Sequence, residues 1–197
     1  LLLFKSLSTK LSSSKNLDTK FYWVDERCVP PDSEESNYKM ARENLFVNNI
    51  FNSQNIYRIK GEKDPFEEVI NYNKILRDNL TLDKNIPSFD LIILGIGDDG
   101  HTASLFPHEF KNLRNKKECL VATHPSSGQK RISLSEKIIN NAKEVIFHVT
   151  GAGKKYVIDE IINNRGNYKS YPASYINPKS NNLSWYLDFE ASEMLTK

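Results

Sequence analysis

Cysteine is almost missing from this sequence: Cys28 and Cys119 are the only two among 197 residues. So distant a pair builds no disulfide framework and offers no metal-ligand spacing. A reducing, cytoplasmic compartment is the simpler expectation, and no metal or organic cofactor is suggested by ligand spacing or needed by the chemistry expected below. A dominant charge is missing too. Twenty-seven basic against 25 acidic residues leave a net charge of +2, and no basic run exceeds two residues. That balance gives no reason to expect nucleic acid or an anionic membrane as partner, so any anion must be bound locally. No apolar run approaches the roughly 18 residues needed to span a bilayer. The opening Leu1-Leu2-Leu3-Phe4 lacks both an initiator Met and a charged leading segment, and reads as part of a helix rather than a signal peptide. At this length one sizeable domain over residues 1–197 is expected, and two full domains are not.

What is present is an alternation of short apolar runs with longer helical stretches, the pattern of an α/β layered fold. Phe21-Tyr22-Trp23-Val24 reads as a buried strand ending in a charged loop, Asp25-Glu26-Arg27, and then Pro30-Pro31. Ser36 is placed to cap a helix carrying Met40, Leu45 and Phe46 inward as far as about Ile50. A second short strand follows at 55–59. Asp64 as N-cap, Pro65 in the first turn and Glu67 three residues after the cap predict the next helix. Its apolar positions Phe66, Val69, Tyr72, Leu76 and Leu80 step by three or four, which buries one face. Asp90-Leu91-Ile92-Ile93-Leu94, closed by Gly95, reads as a central parallel strand covered on both faces. Further strands are expected at 119–122, 145–149 and 185–187, and helices at 135–142, 154–163 and from Phe189.

In an open parallel sheet, ligands bind beyond the carboxyl ends of the strands. Two such ends concentrate functional groups: Asp25-Glu26-Arg27, and Gly95-Ile96-Gly97-Asp98-Asp99-Gly100-His101. In the second, the glycines let the backbone turn sharply and approach a ligand. Asp99 is spaced to orient the His101 imidazole, the usual general base for activating water. The stretch Thr102–Phe106 could open a helix whose first amides face an anion, with Pro107 ending it. A purely structural strand-to-helix connection remains the alternative for this loop. It is no P-loop, because no Gly-Lys-Ser/Thr follows. Nor is it a dinucleotide fingerprint, since no acidic residue stands at the required later strand end. Arg27 is a possible bidentate phosphate or carboxylate ligand. Arg131, after the flexible loop 124–130, and Lys154, after Gly151-Ala152-Gly153, are further anion-site candidates or else surface cations. His148 alternates into a strand and reads as a packed core residue. His108 and His124 have no assigned place.

These residues resemble a known family. Asp25-Glu26-Arg27-Cys28-Val29-Pro30 with Ser36-Asn37 is similar to the DERxVP…SN signature of the 6-phosphogluconolactonases. The run Gly95 to Pro107 resembles their GxGxDGHTASLFP motif, and Arg131–Leu134, Gly151–Lys154, Pro172-Ala173 and Trp185–Asp188 follow in the family's order. The resemblance implies a three-layer α/β/α sandwich with a mostly parallel, Rossmann-like sheet. It implies hydrolysis of 6-phospho-D-glucono-1,5-lactone to 6-phosphogluconate in the oxidative pentose phosphate pathway. The related glucosamine-6-phosphate deaminases carry DEY and GHIAFNEP where this chain has DER and GHTASLFP. A deaminase/isomerase-like enzyme and a non-catalytic sugar-phosphate-sensing domain remain the alternatives. Carried onto this sequence, the family's chemistry expects His101 as base and Asp99 as its orienting partner. It expects Lys154 and Arg131 at the phosphate, Arg27 at the phosphate or the lactone, and Asp25 positioning Arg27 or a sugar hydroxyl. Asn37, Gly97 and Gly100 are expected to complete the substrate site. The family also has a Gly/Ser-rich phosphate loop upstream of the DER strand. Nothing like it precedes Asp25, and residues 1–7 look like the helix that would follow it. The domain is therefore expected to lack its N-terminal strand and that loop. Some members are fused to glucose-6-phosphate dehydrogenase, a possible partner here.

Overall fold

The computed structural model describes residues 2–11, 18–47, 51–113 and 118–195. In chain order it runs α1 (Leu2–Leu11), β1 (Phe21–Tyr22), β2 (Asp25–Arg27), α2 (Asn37–Asn44), β3 (Ile56–Tyr57) and α3 (Pro65–Asn79). Next come the β4 (Thr81–Asp83) and β5 (Ile86–Ser88) hairpin, β6 (Ile92–Leu94), α4 (Pro107–Leu113), β7 (Cys119–Thr123) and β8 (Lys130–Leu134). The chain continues through α5 (Glu136–Ile139), β9 (Val145–Val149), α6 (Lys155–Ile162), β10 (Leu183–Leu187) and α7 (Phe189–Ser192). The fold is mixed α/β. β1 pairs with β3, and β9 pairs with both β6 and β10, all in parallel. β8 lies between β2 and β7 in an antiparallel sheet.

Local chemistry accounts for the helix starts. The Ser36 hydroxyl accepts from the Lys39 amide, and the Asp64 carboxylate accepts from those of Phe66 and Glu67, with Pro65 in the first turn. Val69, Tyr72 and Leu76 are buried as the spacing requires. Phe66 (66% exposed) and Met40 (38% exposed) are not. Each lies at the margin of its apolar stripe, where the opposing layer no longer reaches. α2 ends at Asn44, and the expected continuation to Ile50 falls partly outside the described residues.

Tyr72 anchors the core to the strand that leads into the site. Its fully buried hydroxyl accepts from the Trp23 amide at 2.9 Å and donates to the Trp23 carbonyl at 3.0 Å. Both backbone groups sit just beyond β1, outside any ladder. Tyr72→Phe should therefore cost about 1–3 kcal/mol, the penalty for stranding buried polar groups. Urea unfolding monitored by circular dichroism reads this directly; an unchanged midpoint would mean that water replaces the hydroxyl.

Three expectations are corrected. Asp25-Glu26-Arg27 is itself a strand rather than a loop, because its alternate side chains serve two sides: Glu26 is buried, Asp25 and Arg27 are not. Thr102–Leu105 forms a tight bridged turn instead of opening a helix, and Pro107 begins α4 rather than ending anything. Proline suits a first helical turn, where its missing N–H is not needed. His148 is exposed. By register it shares a sheet face with Leu91, Ile93 and Tyr186, which are 45%, 38% and 58% exposed. The expected cover on both faces of β6 is thus present on one face only among the described residues.

Candidate active site

The glycine loop after β6 closes on itself. The Gly97 amide donates to the His101 carbonyl at 2.8 Å, and the Gly100 amide donates to the Gly97 carbonyl at 3.0 Å. Two glycines here are sterically required. A Cβ on Gly97 would lie 2.1 Å from His101 Nδ1, and one on Gly100, whose φ is +78°, would lie 2.5 Å from the Tyr171 ring. The turn that follows holds Ala103 at φ +49°, a conformation non-glycine residues seldom adopt.

This compaction places Asp99 against His101. Asp99 Oδ1 accepts from the His101 amide at 3.1 Å and lies 2.5 Å from His101 Nδ1. Partial burial alone would raise the Asp99 pKa, but these hydrogen bonds outweigh it and hold the carboxyl below its ordinary value. An ionised carboxylate at Nδ1 keeps a proton there and leaves Nε2 as the acceptor. The ring packs on Phe106, with centroids 4.9 Å apart, and Phe106 is fully buried. Orientation, tautomer and support are therefore all set.

Opposite stands the β2–β8 ladder. Buried Glu26 accepts from four donors: the amides of Arg27, Asn37 and Tyr38, each at 2.8 Å, and the Ser36 hydroxyl at 3.0 Å. Burial pushes its pKa up, against the lowering effect of those donors. The anchored start of α2 lets Asn37 Nδ2 donate to the Asp25 carbonyl at 3.0 Å and to its carboxylate at 3.2 Å. The other Asp25 oxygen accepts from Ser104 Oγ at 2.7 Å, while the Ser104 amide donates to Ser133 Oγ at 3.1 Å. This chain of hydrogen bonds ties the DER strand to the histidine loop.

Arg27 and Arg131 are direct partners in the antiparallel register, so their side chains share one face. Arg27 Nη1 donates to the Glu35 carbonyl. The Nε atoms of both arginines are buried and have no hydrogen-bond partner among the described residues. Burial first, and then the charge of Arg27, lowers the Arg131 pKa. Two neighbouring guanidiniums with unused donors form an anion site awaiting its counter-charge. Asp25, Arg27, Asn37, His101 and Arg131 line one cleft of about 240 Å³.

Known proteins resemble this chain along nearly its whole length. Residues 2–185 match the family model for glucosamine-6-phosphate isomerases/6-phosphogluconolactonase. The chain belongs to this family. It is similar to the 6-phosphogluconolactonase of Haemophilus influenzae, 40% identical over 98% of this chain and 82% of that protein. It is also similar to the human GDH/6PGL endoplasmic bifunctional protein, 34% identical over 96% of this chain and 24% of that one. Among solved structures, the 6-phosphogluconolactonase from Trypanosoma brucei superposes with a TM-score of 0.83 at 30% identity, covering 98% of this chain and 82% of that one.

Most residues expected from the family motifs converge on the cleft or on the loop behind it. Lys154 meets that loop rather than the cleft, through an ion pair with Asp98. Asp25 likewise holds Asn37 and Ser104 rather than Arg27. Sequence reasoning passed over Glu26, Ser104 and Ser133. Only Glu26 carried a signal: an acidic residue between two cleft-facing positions of a strand must turn away from the cleft, where it needs donors.

Proposed function

We propose that this family member hydrolyses 6-phospho-D-glucono-1,5-lactone to 6-phosphogluconate, the lactonase step of the oxidative pentose phosphate pathway. The observation that carries the reading is one cleft holding both an oriented imidazole and two arginines whose buried Nε donors are unused among the described residues. His101 Nε2 takes a proton from water as the oxygen attacks C1 of the lactone. The tetrahedral intermediate then collapses, the C1–O5 bond breaks, and the protonated imidazole returns its proton to the departing ring oxygen. Asp99 stabilises the imidazolium between these steps. Arg27 and Arg131 hold the phosphate, which fixes C1 relative to His101. Asp25 and Asn37 line the sugar side. Lys154, paired with Asp98 of the histidine loop, keeps two further ammonium donors for the phosphate.

The finer architecture belongs to the same reading: a three-layer α/β/α sandwich whose parallel sheet takes one further strand between β1 and β6. The outer edges of β1 and β6 are unpaired among the described residues. Ile93, Leu94 and Gly95 of the β6 edge line the cleft, so a strand there delivers its following loop to the phosphate. A Gly/Ser-rich loop on that strand would supply further amides. Fusion to, or association with, a glucose-6-phosphate dehydrogenase is compatible with the bifunctional human relative.

Acid release in a pH-stat, with spontaneous hydrolysis subtracted, tests the activity. The full-length protein should accelerate opening of the phospholactone and release no ammonia from glucosamine 6-phosphate. Ammonia release without lactone opening would transfer the chain to the deaminase branch.

A further inference from the structure

The antiparallel sheet beside the cleft carries a residue that the family motifs leave unassigned. Its register places Asp25 opposite Ser133, and Arg27 opposite Arg131, which in turn faces Ala122. Side chains alternate along a strand, so the face bearing Asp25, Arg27, Arg131 and Ser133 also bears Ala122 and, two residues on, position 124. The ladder continues that far: the His124 amide donates to the Gln129 carbonyl at 2.9 Å. His124 is thus the diagonal cross-strand neighbour of Arg131, a distance readily spanned by long or aromatic side chains. The small, buried Ala122 stands directly opposite Arg131, and the Phe106 ring contacts both the Arg131 guanidinium and the His124 ring.

Two contacts fix the His124 ring. It meets Phe106 edge to face, with centroids 5.4 Å apart, on the same aromatic ring that carries His101 and the Arg131 guanidinium. Its Nδ1 lies 3.2 Å from the Ser127 amide, a donor only, and 3.1 Å from Ser127 Oγ. With Nδ1 accepting, the ring proton resides on Nε2, which has no partner among the contacts found. Partial burial, and then the charges of Arg131, His101 and Arg27, partly offset by Asp99, lower its pKa. The resting ring is therefore a neutral donor beside two arginines.

The geometry points to His124 as a third phosphate-recognition residue, donating from Nε2 to the phosphoryl group held by Arg27 and Arg131. This rests on the lactonase reading above and adds to it how the site distinguishes phosphorylated from unphosphorylated lactones. A neutral imidazole adds a donor without adding a third charge to an already repulsive pair. The turn 125–128 that seats it is tied across to the Arg27 side, since Gln129 Nε2 donates to Glu35 Oε2 at 3.1 Å.

The test compares two substrates. His124→Ala should raise KM for the phospholactone about tenfold, as expected for one lost hydrogen bond to a charged group. It should leave kcat, and turnover of unphosphorylated glucono-1,5-lactone, unchanged. His124→Gln, which keeps a donor near the Nε2 position, should recover most of the affinity. Equal losses on both lactones, or an unchanged KM, would overturn the proposal. Inorganic phosphate titrated calorimetrically into wild type and His124→Ala reads the same site without turnover. Weaker binding by the variant is expected, and equal affinity would count against the role. If the wild type binds phosphate but opens no lactone, the lactonase reading fails while this assignment still stands or falls on the titration.

Discussion

Replacing His101 by alanine is expected to lower kcat on the phospholactone about a thousandfold, with KM changed by no more than a few-fold. General-base catalysis by a positioned side chain contributes roughly 10²–10⁴. The middle of that range suits a base whose tautomer, tilt and support are all fixed, by Asp99 and by Phe106. Neither arginine proposed for the phosphate contacts His101 among the described residues, so binding should survive. Asp99→Asn should fall between wild type and His101→Ala. The amide preserves the shape but can no longer demand a proton on Nδ1, so part of the population carries it on Nε2, where it blocks proton abstraction. Spontaneous lactone opening sets the floor and must be subtracted. Single-turnover rates for the three proteins, with thermal unfolding as the control for folding, decide the matter. If His101→Ala retained near-normal kcat, another group activates the water and the mechanism fails.

What made this centre legible in the sequence was its local character. The glycine loop, its Asp99–His101 spacing and the Asp64–Pro65 helix start are each written within a few consecutive residues, so residue type and spacing suffice to place them. The β2–β8–β7 sheet was legible only at β7. Lys130–Leu134 carries polar residues at 130, 131 and 133 and suggested no element of its own; its pairing with both β2 and β7 makes it a strand. The same non-local pairing turns Asp25-Glu26-Arg27 from a charged loop into a strand with Glu26 facing inward. It also brings Arg131 beside Arg27 across more than a hundred residues. Lys154 shows the converse. Its glycine-rich setting is local, whereas its ion pair with Asp98 joins two loops far apart in sequence, which no local pattern announces. Position on a helix face was similarly ambiguous for Met40 and Phe66, since periodicity defines a stripe but not how far the opposing layer extends.

The second large effect is expected at Arg131, where affinity and stability should move in opposite directions. Arg131→Met keeps an unbranched apolar stem and removes the guanidinium, whose carbon lies 5.7 Å from the Phe106 ring centroid. Truncating one partner of a buried, hydrogen-bonded charge pair costs about 2–5 kcal/mol. At about 1.4 kcal/mol per factor of ten, kcat/KM for the phospholactone should fall by about 10²–10³, mostly through KM. The unphosphorylated lactone should be turned over much as before. Without a bound anion, however, Arg131 has a buried Nε that lacks a partner among the described residues, and it stands beside Arg27, whose charge helps to lower its pKa. Removing it relieves both penalties, so the variant should unfold at the wild-type denaturant concentration or above it. Binding sites commonly sacrifice stability in this way, because groups arranged for a ligand are mismatched without one. Added phosphate should stabilise the wild type and leave Arg131→Met nearly unaffected, since only a protein that binds the anion gains from it. Were Arg131→Met to lose stability and affinity together, on both lactones alike, Arg131 would be a structural residue of the ladder and the phosphate would have to be held elsewhere.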